Sequence, residues 1–324
     1  MDSLHVKHRL RATPDTVQWG FFDAHVEPVL RINSGDSVEL DTISGGPRYF
    51  KKAMQEEYYA LVPNLREIHE KLGKNKVGPH FLTGPIEIMG AEGGQALAVT
   101  LQSIAPATPV GYNSIVPGKG TLPNDFPYAR ARLIKLDKER KYALFPEGMK
   151  LPLSPFFGNQ GVAPPVSMER VSSLAPGVHG GNIDNKELVA GSTLYLPIHE
   201  DGAKYSVGDG HALQGDGELC LSALECSMHA TLTLEIKKDM DLRWPMGETR
   251  THIICMGFSP DLNEAAELAT RNAVGYLTSI GLNRDDAYTL SSFVVDLHVT
   301  QLVNGVKGVH AMIPKSVLAQ KSKG

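Results

Sequence analysis

The sequence predicts an α+β fold that is mostly β. Two observations predict it: short apolar runs separated by turn residues recur along most of the chain, and the strongest helical periodicity lies after residue 258. Because strands and helices do not alternate, a parallel βαβ architecture is not expected. The 324 residues can bury a large core, and we predict two tightly packed domains, a β-rich one over 1–170 and an α+β one over 171–324.

In the first hundred residues, the predicted strands come in pairs that a glycine turn joins. Residues 17–41 predict a strand followed by a hairpin that turns at Gly35, and residues 83–104 repeat the order of strand, Gly-rich turn and strand. Residues 48–73 between them have a helical composition that Pro63 interrupts. This part of the chain is therefore predicted to be β with one helical insertion.

The middle of the chain predicts short strands and Pro-rich loops. Residues 105–175 are rich in Pro and Gly, and within them residues 151–168 predict a loop. This loop could wall a binding pocket with Phe156 and Phe157, or it could simply pack as a crossover connection. Further strands are predicted in the segments GSTLYLPI, GELCLSALECSMHATLTLEI and THIICMGF.

Two helices are predicted near the C-terminus. Ser259 is the predicted N-cap of the first helix, which has an apolar stripe along one face and ends at Gly281. Asn283, followed by Asp286 three residues later, predicts the start of the second helix. A final strand is predicted in VVDLHVTQLV.

Charge and composition argue against several classes of function. Lys and Arg number 32 against 36 Asp and Glu, a net charge of −4, which predicts no binding to nucleic acid or to an anionic membrane. No apolar run is long enough for a membrane-spanning helix, and the first residues lack the apolar segment of a signal peptide. We therefore expect a cytoplasmic protein.

The three cysteines do not predict a disulfide framework. Cys220, Cys226 and Cys255 are odd in number and lack CxxC spacing, which also argues against a thiolate zinc site. The simplest interpretation is that they are reduced thiols packed as small hydrophobic groups.

The segment GDGHALQGDGELC, residues 208–220, places four ionisable side chains among four glycines. Residues two apart on an extended chain point the same way, so Asp209 can share a face with His211, and Asp216 with Glu218. Imidazole and carboxylate groups are usual zinc ligands. Alternatively, one of two paired carboxylates can act as a general acid and the other as a general base. The alternative is a Gly-Asp turn whose side chains bond local backbone amides.

A second segment, HGGNIDN at residues 179–185, adds His179, Asn182 and Asp184. Its two glycines allow the backbone to approach a ligand closely, although the segment alone also fits an ordinary turn. Catalytic metal sites usually take their ligands from separate chain segments. Together, the two segments predict one site.

Other candidates are weaker. Glu225 lies in an alternating strand pattern, so a buried carboxylate there needs a metal, a lysine or backbone donors. Cys226 could be a nucleophile beside His229, but no setting that lowers a thiol pKa is visible. His80 and Thr83 could line the site or be loop residues. The motifs GxSxG, HExxH and GxxxxGK[ST] are absent from the sequence.

The segments PGVHGGNIDNKELVAGSTLYLPI and SVGDGHALQGDGELCLSALEC strongly resemble the acetamidase/formamidase family. The order and spacing of HGGNxD, GDxHAxQGDGE and the later A-x-E match that family, and flanking segments look similar over nearly the whole chain. The resemblance implies a β-sandwich-like N-terminal part and a smaller α+β C-terminal part. It also implies a divalent metal, with zinc as the expected ion, and homo-oligomers, often dimers.

The implied activity is hydrolysis of the C–N bond of small amides such as formamide or acetamide, with lactams as substrates of some relatives. Residues 48–78 and the tripeptide Cys226-Ser227-Met228 depart from the family pattern, which leaves the substrate open.

The residues and the resemblance together predict metal-assisted amide hydrolysis, in which a carboxylate takes a proton from water and returns it to the departing ammonia. The predicted metal ligands are Asp184, His211, Glu225 and His179. The predicted catalytic carboxylates are Asp216, Glu218 and Asp209. The predicted substrate-binding amides are Asn182 and Gln214.

Two alternatives stay open from the sequence. The first is a metal-free amidase that uses Cys226 or a carboxylate as its nucleophile. The second is a non-enzymatic protein that binds a metal or a small amide, with calcium held in the acidic loop. Calcium prefers six to eight oxygen ligands, so the imidazole of His211 argues against it.

Overall fold

The computed structural model of the chain has two large β-sheets and few helices, which confirms the predicted α+β, mostly β fold. It describes residues 7–45, 50–62, 64–74 and 76–321. The strands of the first half are β1 (His8–Leu10), β2 (Val17–Trp19), β3 (Phe21–Phe22), β4 (Leu30–Asn33), β5 (Asp36–Thr42), β6 (Phe81–Met89), β7 (Ala96–Pro106), β8 (Val110–Ile115), β9 (Arg130–Lys135), β10 (Tyr142–Leu144), β11 (Lys150–Pro152) and β12 (Phe156–Gly161).

The strands of the second half are β13 (Val171–Ser172), β14 (Pro176–Gly177), β15 (Gly180–Asn182), β16 (Thr193–Pro197), β17 (Tyr205–Leu213), β18 (Leu224–Glu225), β19 (Met228–Lys237), β20 (Met246–Glu248), β21 (His252–Ser259), β22 (Asp296–Gln301) and β23 (Lys307–Pro314). The helices are α1 (Lys52–Leu61), α2 (Leu65–Leu72), α3 (Leu262–Ser279), α4 (Arg284–Val294) and α5 (Lys315–Lys321). Two 3₁₀ turns lie at Pro146–Gly148 and Val166–Met168.

Nine strands form one sheet in the order β1-β5-β19-β7-β16-β20-β21-β23-β22. Ten strands form the other, in the order β14-β15-β12-β17-β18-β8-β9, with β6 joined to β17 and also paired with β2 and β4. All pairs in these two sheets are antiparallel except β1 with β5 and β4 with β6. Each sheet combines strands from before and after residue 170, the predicted domain boundary.

The two sheets share one hydrophobic core. Strand β5 alternates between buried and half-buried residues, and its inward residues Val38 and Leu40 are fully buried. They belong to the same apolar cluster as Ile86 and Val207 of the other sheet. Because alternate side chains of a strand point to opposite faces, this pattern is that of sheets packed face to face.

The two predicted glycine-turn pairs join strands of different sheets. Strand β4 pairs with β6, whereas β5 pairs with β1 and β19. Gly35 does supply the turn, with φ +88°. The predicted hairpin is nevertheless wrong, because each strand pairs within the sheet whose core it faces, and the turn carries the chain from one sheet to the other.

The predicted loop at 151–168 contains the buried strand β12. It lies between β15 and β17 in the ten-stranded sheet. Its sequence, FFGNQG, has no apolar alternation, and neighbouring segments bury it on both faces. Local pattern therefore misses this strand.

Four of the five helices in the described residues lie in segments predicted to be helical, and α5 was not predicted. The insertion forms α1 and α2, and Gly73 donates its backbone N–H to His69 at the end of α2; Pro63 lies outside the described residues. Asn283 caps α4 as predicted, by accepting the backbone N–H of Asp286. The N-cap of α3 is Asp261, two residues beyond the predicted Ser259. No helix in the described ranges has both the length and the apolar character needed to cross a bilayer.

Candidate active site

Strands β17 and β18 bring three ionisable side chains together. His211 of β17 lies opposite Glu225 of β18 in their antiparallel pairing. The Nε2 atom of His211 is 3.4 Å from Asp209 Oδ2 and 3.4 Å from Glu225 Oε2. All three side chains are buried. Asp209 and His211 thus lie side by side, as their two-residue spacing predicts.

Gln214 determines which nitrogen of His211 faces these carboxylates. Its Nε2 donates to the backbone carbonyl of Asp184 at 2.8 Å, which leaves Oε1 directed at His211 Nδ1, also at 2.8 Å. Because an amide oxygen only accepts, Nδ1 carries a proton. A neutral His211 therefore presents the lone pair of Nε2 to Asp209 and Glu225.

Asp184 and Glu218 complete the buried cluster from the other side of the imidazole. Asp184 Oδ1 is 3.9 Å from His211 Nδ1, and Asp184 Oδ2 accepts a hydrogen bond from Asn304. One ligand atom each of Asp184, His211 and Glu218 lies within 4.8 Å of the others. Asp184 Oδ1 and Glu218 Oε2 are buried without a hydrogen-bond partner among the described residues. Since buried polar atoms normally have a partner, these two oxygens are available to a ligand.

Three of these acids have left-handed backbone conformations. The φ angles of Asp184, Asp209 and Glu218 are 51°, 55° and 47°. Residues other than glycine rarely adopt positive φ, and such conformations cluster at active sites. The backbone here turns each carboxylate into the cluster.

Gly158 of β12 leaves the space that the cluster occupies. A Cβ atom at this position would lie 2.4 Å from Asp184 Oδ1, 2.8 Å from Asp209 Oδ2 and 2.8 Å from His211 Cε1. Any side chain at residue 158 would therefore displace the carboxylates or the imidazole.

Burial and mutual charge shift the pKa values of the cluster. Burial raises the pKa of Glu218 well above its ordinary value, and the Asp184 carboxylate raises it further. Burial also raises the pKa of Asp184 to about 6, and it raises the pKa of Glu225. Burial opposes the charge of Asp209, but two neighbouring imidazoles lower its pKa. Burial likewise opposes the charge of His211, but Glu225 and Asp209 raise its pKa well above the ordinary value.

The donor set fits a divalent metal. Ligand atoms about 2.0–2.2 Å from a tetrahedral ion lie about 3.4 Å apart, which is the separation of His211 Nε2 from both carboxylate oxygens. Four buried carboxylates around one imidazole attract positive charge, which a proton on His211 or a metal ion can supply. Asp209, His211 and Glu225 could hold the ion, because the two carboxylates flank the nitrogen whose lone pair a neutral His211 offers.

A cavity of about 750 Å³ opens over the cluster. Asp209, Glu218 and Glu225 form what we call its acidic floor, with Tyr112 beside them. Another part of the lining is aromatic, from Trp19, His69 and Phe81, which we call the aromatic wall. The buried carboxylates are therefore accessible to a small molecule.

The sequence matches a known family over most of its length. The model of the Acetamidase/Formamidase family matches residues 22–175 and 165–320. This chain belongs to the acetamidase/formamidase family.

Relatives and solved structures agree with this assignment. A putative formamidase of Schizosaccharomyces pombe is 28% identical over 226 residues, which cover 52% of this chain and 55% of that protein. A formamidase of Methylophilus methylotrophus is 28% identical over 158 residues, which cover 42% of this chain and 39% of that protein. The match thus spans about half or less of these relatives' length. The crystal structure of an acetamidase from Bacillus halodurans superposes with a TM-score of 0.82 at 29% identity, covering 96% of this chain and 99% of that chain.

In this acetamidase/formamidase-family chain, Asp216 is separated from the cluster. Its Oδ2 lies 3.1 Å from Lys186 Nζ and 3.1 Å from His298 Nδ1, and it is not among the described residues that line the cavity. Positive φ at Gly217 and Glu218, 90° and 47°, breaks the extended alternation that the same-face prediction assumes. The prediction that Asp216 and Glu218 share a face is therefore wrong.

Other predicted residues support the site or lie apart from it. Buried His179 packs its ring against Phe22 at 5.0 Å, and among the described residues it belongs to none of the groups that could hold a metal ion. Asn182 lines the cavity, but its amide already bonds to Asn159 and to the Leu174 carbonyl. The amide oxygen and nitrogen of Gln214 likewise each have a partner, His211 Nδ1 and the Asp184 carbonyl.

Of the weaker candidates, His80 lines the cavity and Thr83 does not, in the part of the chain that the structure describes. His80 Nε2 is 3.5 Å from Asp209 Oδ2. Thr83 donates to the Asp41 carbonyl. Phe156 and Phe157 are fully buried, and Phe156 contacts the His211 ring edge-on at 5.2 Å, so these rings support the site from behind.

The thiol of Cys226 lacks the features of a nucleophile. It is fully buried between Thr108 and the Val110 carbonyl, and burial raises its pKa to about 11. The imidazole of His229 binds Asp41 instead. Reactive cysteines have lowered pKa values, so this environment favours the metal-dependent alternative.

Sequence reasoning missed Gly158, Asn304 and Tyr112. Gly158 falls in the segment predicted to be a loop, and Asn304 reaches Asp184 across 120 positions of the chain. Tyr112 lies opposite Glu225 in the pairing of β8 with β18. The resemblance of the segment around Asn304 to the family was the only sequence feature that pointed to it.

Proposed function

We propose that this protein hydrolyses the C–N bond of an amide to a carboxylate and ammonia with the help of a divalent metal. The observation that carries the proposal is the approach of two carboxylate oxygens to within 3.4 Å of His211 Nε2, at the base of an accessible cavity. Names of the relatives, acetamidase and formamidase, point to the same reaction. Zinc is the ion that we expect, because nitrogen and carboxylate ligands suit it.

Asp209, His211 and Glu225 would hold the ion. When bound, such an ion polarises the amide carbonyl and makes water a better nucleophile at neutral pH. Asp184 and Gln214 keep His211 in position, because Gln214 bonds both the imidazole and the backbone of Asp184. Partners of this kind orient the side chains that bind a metal.

Glu218 is our candidate for the proton-transfer group. It lines the cavity, its Oε2 has no partner among the described residues, and its pKa is raised. A carboxylate with a raised pKa can accept a proton near neutral pH and release it again. Glu218 would take a proton from the attacking water, and would pass it to the nitrogen as the C–N bond breaks and ammonia leaves.

Tyr112 would orient the amide. Ser44 Oγ donates to the Tyr112 hydroxyl at 3.0 Å, which leaves the tyrosine proton free to donate into the cavity that Tyr112 lines. Burial raises the pKa of Tyr112, so this proton is retained at neutral pH. The amide carbonyl oxygen is the acceptor that we expect for it.

The test is ammonia release from formamide, acetamide and propionamide, and formation of the ring-opened amino acid from a γ-lactam, with the metal content of the protein measured by elemental analysis. We expect turnover that a chelator abolishes and that zinc or manganese restores. Undiminished turnover by a metal-free preparation would contradict the metal requirement, and no ammonia from any amide would contradict the activity. A cytoplasmic location and a homodimer remain predictions from the sequence.

A further inference from the structure

We propose that the substrate is a primary amide bearing an aryl group, with the amide at the acidic floor and the ring against the aromatic wall. This inference rests on the proposed amide hydrolysis. It concerns the residues that bind the remainder of the substrate.

The cavity is much larger than the smallest amides need. Acetamide has four non-hydrogen atoms, and it would occupy the space of three or four waters, on the order of 100 Å³. The cavity measures about 750 Å³. Pockets of roughly 300–1,000 Å³ hold ligands of drug-like size. An acetamide-sized substrate would leave most of this lining in contact with water.

The aromatic wall consists of three rings in mutual contact. The ring centroids of Trp19 and Phe81 are 4.5 Å apart, and those of Trp19 and His69 are 5.2 Å apart in a stacked arrangement. His69 and Phe81 lie 5.6 Å apart. Trp19 and His69 are only half-buried, although both line the cavity. Burial lowers the pKa of His69, so its ring is neutral at pH 7. Aromatic pairs pack edge-to-face as well as offset-stacked, so the parts of these rings that line the cavity favour an aryl group, although Lys76 Nζ already lies 5.5 Å from the Trp19 ring centroid.

The wall adjoins the acidic floor. His80 Nε2 lies 3.5 Å from Asp209 Oδ2, and Phe81, the next residue, contacts Trp19. Because the floor and the wall line the same cavity, a substrate with a ring attached to its amide can contact both, whereas formamide and acetamide leave most of that lining uncovered.

The helical insertion builds part of this wall. His69 belongs to α2, and its Nδ1 is hydrogen-bonded to the Tyr59 hydroxyl of α1 at 2.7 Å. The insertion thus supplies one of the three rings and fixes its orientation. It has a direct part in shaping the pocket.

The experiment compares kcat/KM for phenylacetamide and acetamide by ammonia release, using zinc-loaded protein. In the wild type we expect the aryl amide to be preferred by at least about tenfold, since stacking a ring on an aromatic side chain has a large effect on binding. In W19A the ratio of the two kcat/KM values should fall by about tenfold to a hundredfold, and in W19F it should be largely restored. The control is W244F, which changes the chain's other tryptophan, a residue that packs near Phe258 outside the described cavity lining; its ratio should equal that of the wild type.

A binding measurement separates failure of this inference from failure of the proposed activity. In W244F, Trp19 is the only tryptophan, so its fluorescence reports on the wall. Phenylacetone, a ketone with no C–N bond to cleave, should change this fluorescence saturably, and acetone at equal concentration should not. Acetamide turnover without a phenylacetamide preference would overturn the inference and leave the activity standing. Absence of all turnover would contradict the proposed activity. Absence of phenylacetone binding would overturn the inference, whether or not the protein hydrolyses amides.

Discussion

Glu218 is the residue whose chemical role a single substitution tests most directly. E218Q keeps the shape of the side chain but cannot accept a proton. We expect this variant to fold, to keep its metal and to lose about 10²–10⁴ in turnover, the usual contribution of acid–base catalysis. D216N is the matched control, because Asp216 contacts Lys186 and His298 away from the cavity lining. It should remain near the wild-type rate.

Metal loss in E218Q, measured by elemental analysis, would instead make Glu218 a ligand. Glu218 shares with Asp184 and His211 one compact group that could hold an ion. A rate close to wild type in E218Q, with metal retained, would exclude Glu218 as the base.

A substitution of Gly158 tests whether the buried cluster needs the space that a glycine leaves beside it. In G158A the new methyl group would lie 2.4 Å from Asp184 Oδ1, so the carboxylate or the strand must move. Displacing groups that orient metal ligands typically reduces metal affinity or activity by roughly 10- to 100-fold, and we expect a loss of this size. G215A is the control, since a Cβ there meets nothing within 4 Å. Equal zinc titrations and equal turnover for the two variants would contradict the packing argument.

At the scale of single elements, the N-terminus of α3 offers a defined test of helix capping. Asp261 Oδ1 accepts the backbone N–H groups of Asn263 and Glu264 at 2.8 and 3.1 Å. Removing such a cap costs about 1 kcal/mol. We expect D261A to lower the free energy of unfolding by this amount in a urea titration, without affecting amide turnover. N263A, an exposed neighbour inside the helix, should be close to neutral.

Ser259 distinguishes the predicted cap from the observed one. Its hydroxyl donates to the Glu264 carboxylate and accepts from the backbone N–H of Asp261, so it supports the first turn without capping it. A larger loss of stability in S259A than in D261A would mean that the helix begins where the sequence pattern placed it.

At the scale of the whole molecule, two buried imidazoles make stability depend on pH. Burial lowers the pKa of His310 to about 3 and that of His179 to about 4. In the unfolded chain both rings take up a proton below a pKa of about 6.5, whereas in the folded protein they stay neutral until the pH is far lower. The unfolded state therefore binds more protons in this window, and these two groups destabilise the fold as the pH falls from 6.5 towards 4 and 3.

The expected loss in the free energy of unfolding is about 1.4 kcal/mol per pH unit for each ring, or about 2 kcal/mol for one ring at pH 5. The free energy of unfolding should fall between pH 7 and pH 5. We expect this fall to be about 2 kcal/mol smaller in H310Q than in the wild type. H179Q should make the loss smaller by a similar amount, because burial lowers the pKa of this ring as well. The same loss in H310Q and in the wild type would show that His310 does not stay neutral in the folded protein.

The sequence by itself determined the fold class, the family and the segments that supply the site. Apolar runs separated by turn residues predict strands, and Asn283 predicts where a helix begins. Both signals depend only on residues that are close together in sequence. Asp209 and His211 lie together as their two-residue spacing predicts, although Asp209 reaches this position with φ 55° and not with an extended backbone. Asp184, Glu218 and Glu225 were also among the candidates before the structure placed them together.

Only the tertiary structure decided which candidates meet. Positive φ at Gly217 and Glu218 turns Asp216 away from the cluster and Glu218 into it, and no local pattern encodes that rotation. Asn304 reaches Asp184, and Gly158 makes room beside it, through strands that pair far apart in the chain. The turn at Gly35 joins two sheets for the same reason. Spacing along the chain predicts the direction of a side chain relative to its neighbours in sequence. Which side chains meet in one site depends on how segments far apart in the chain pack against each other.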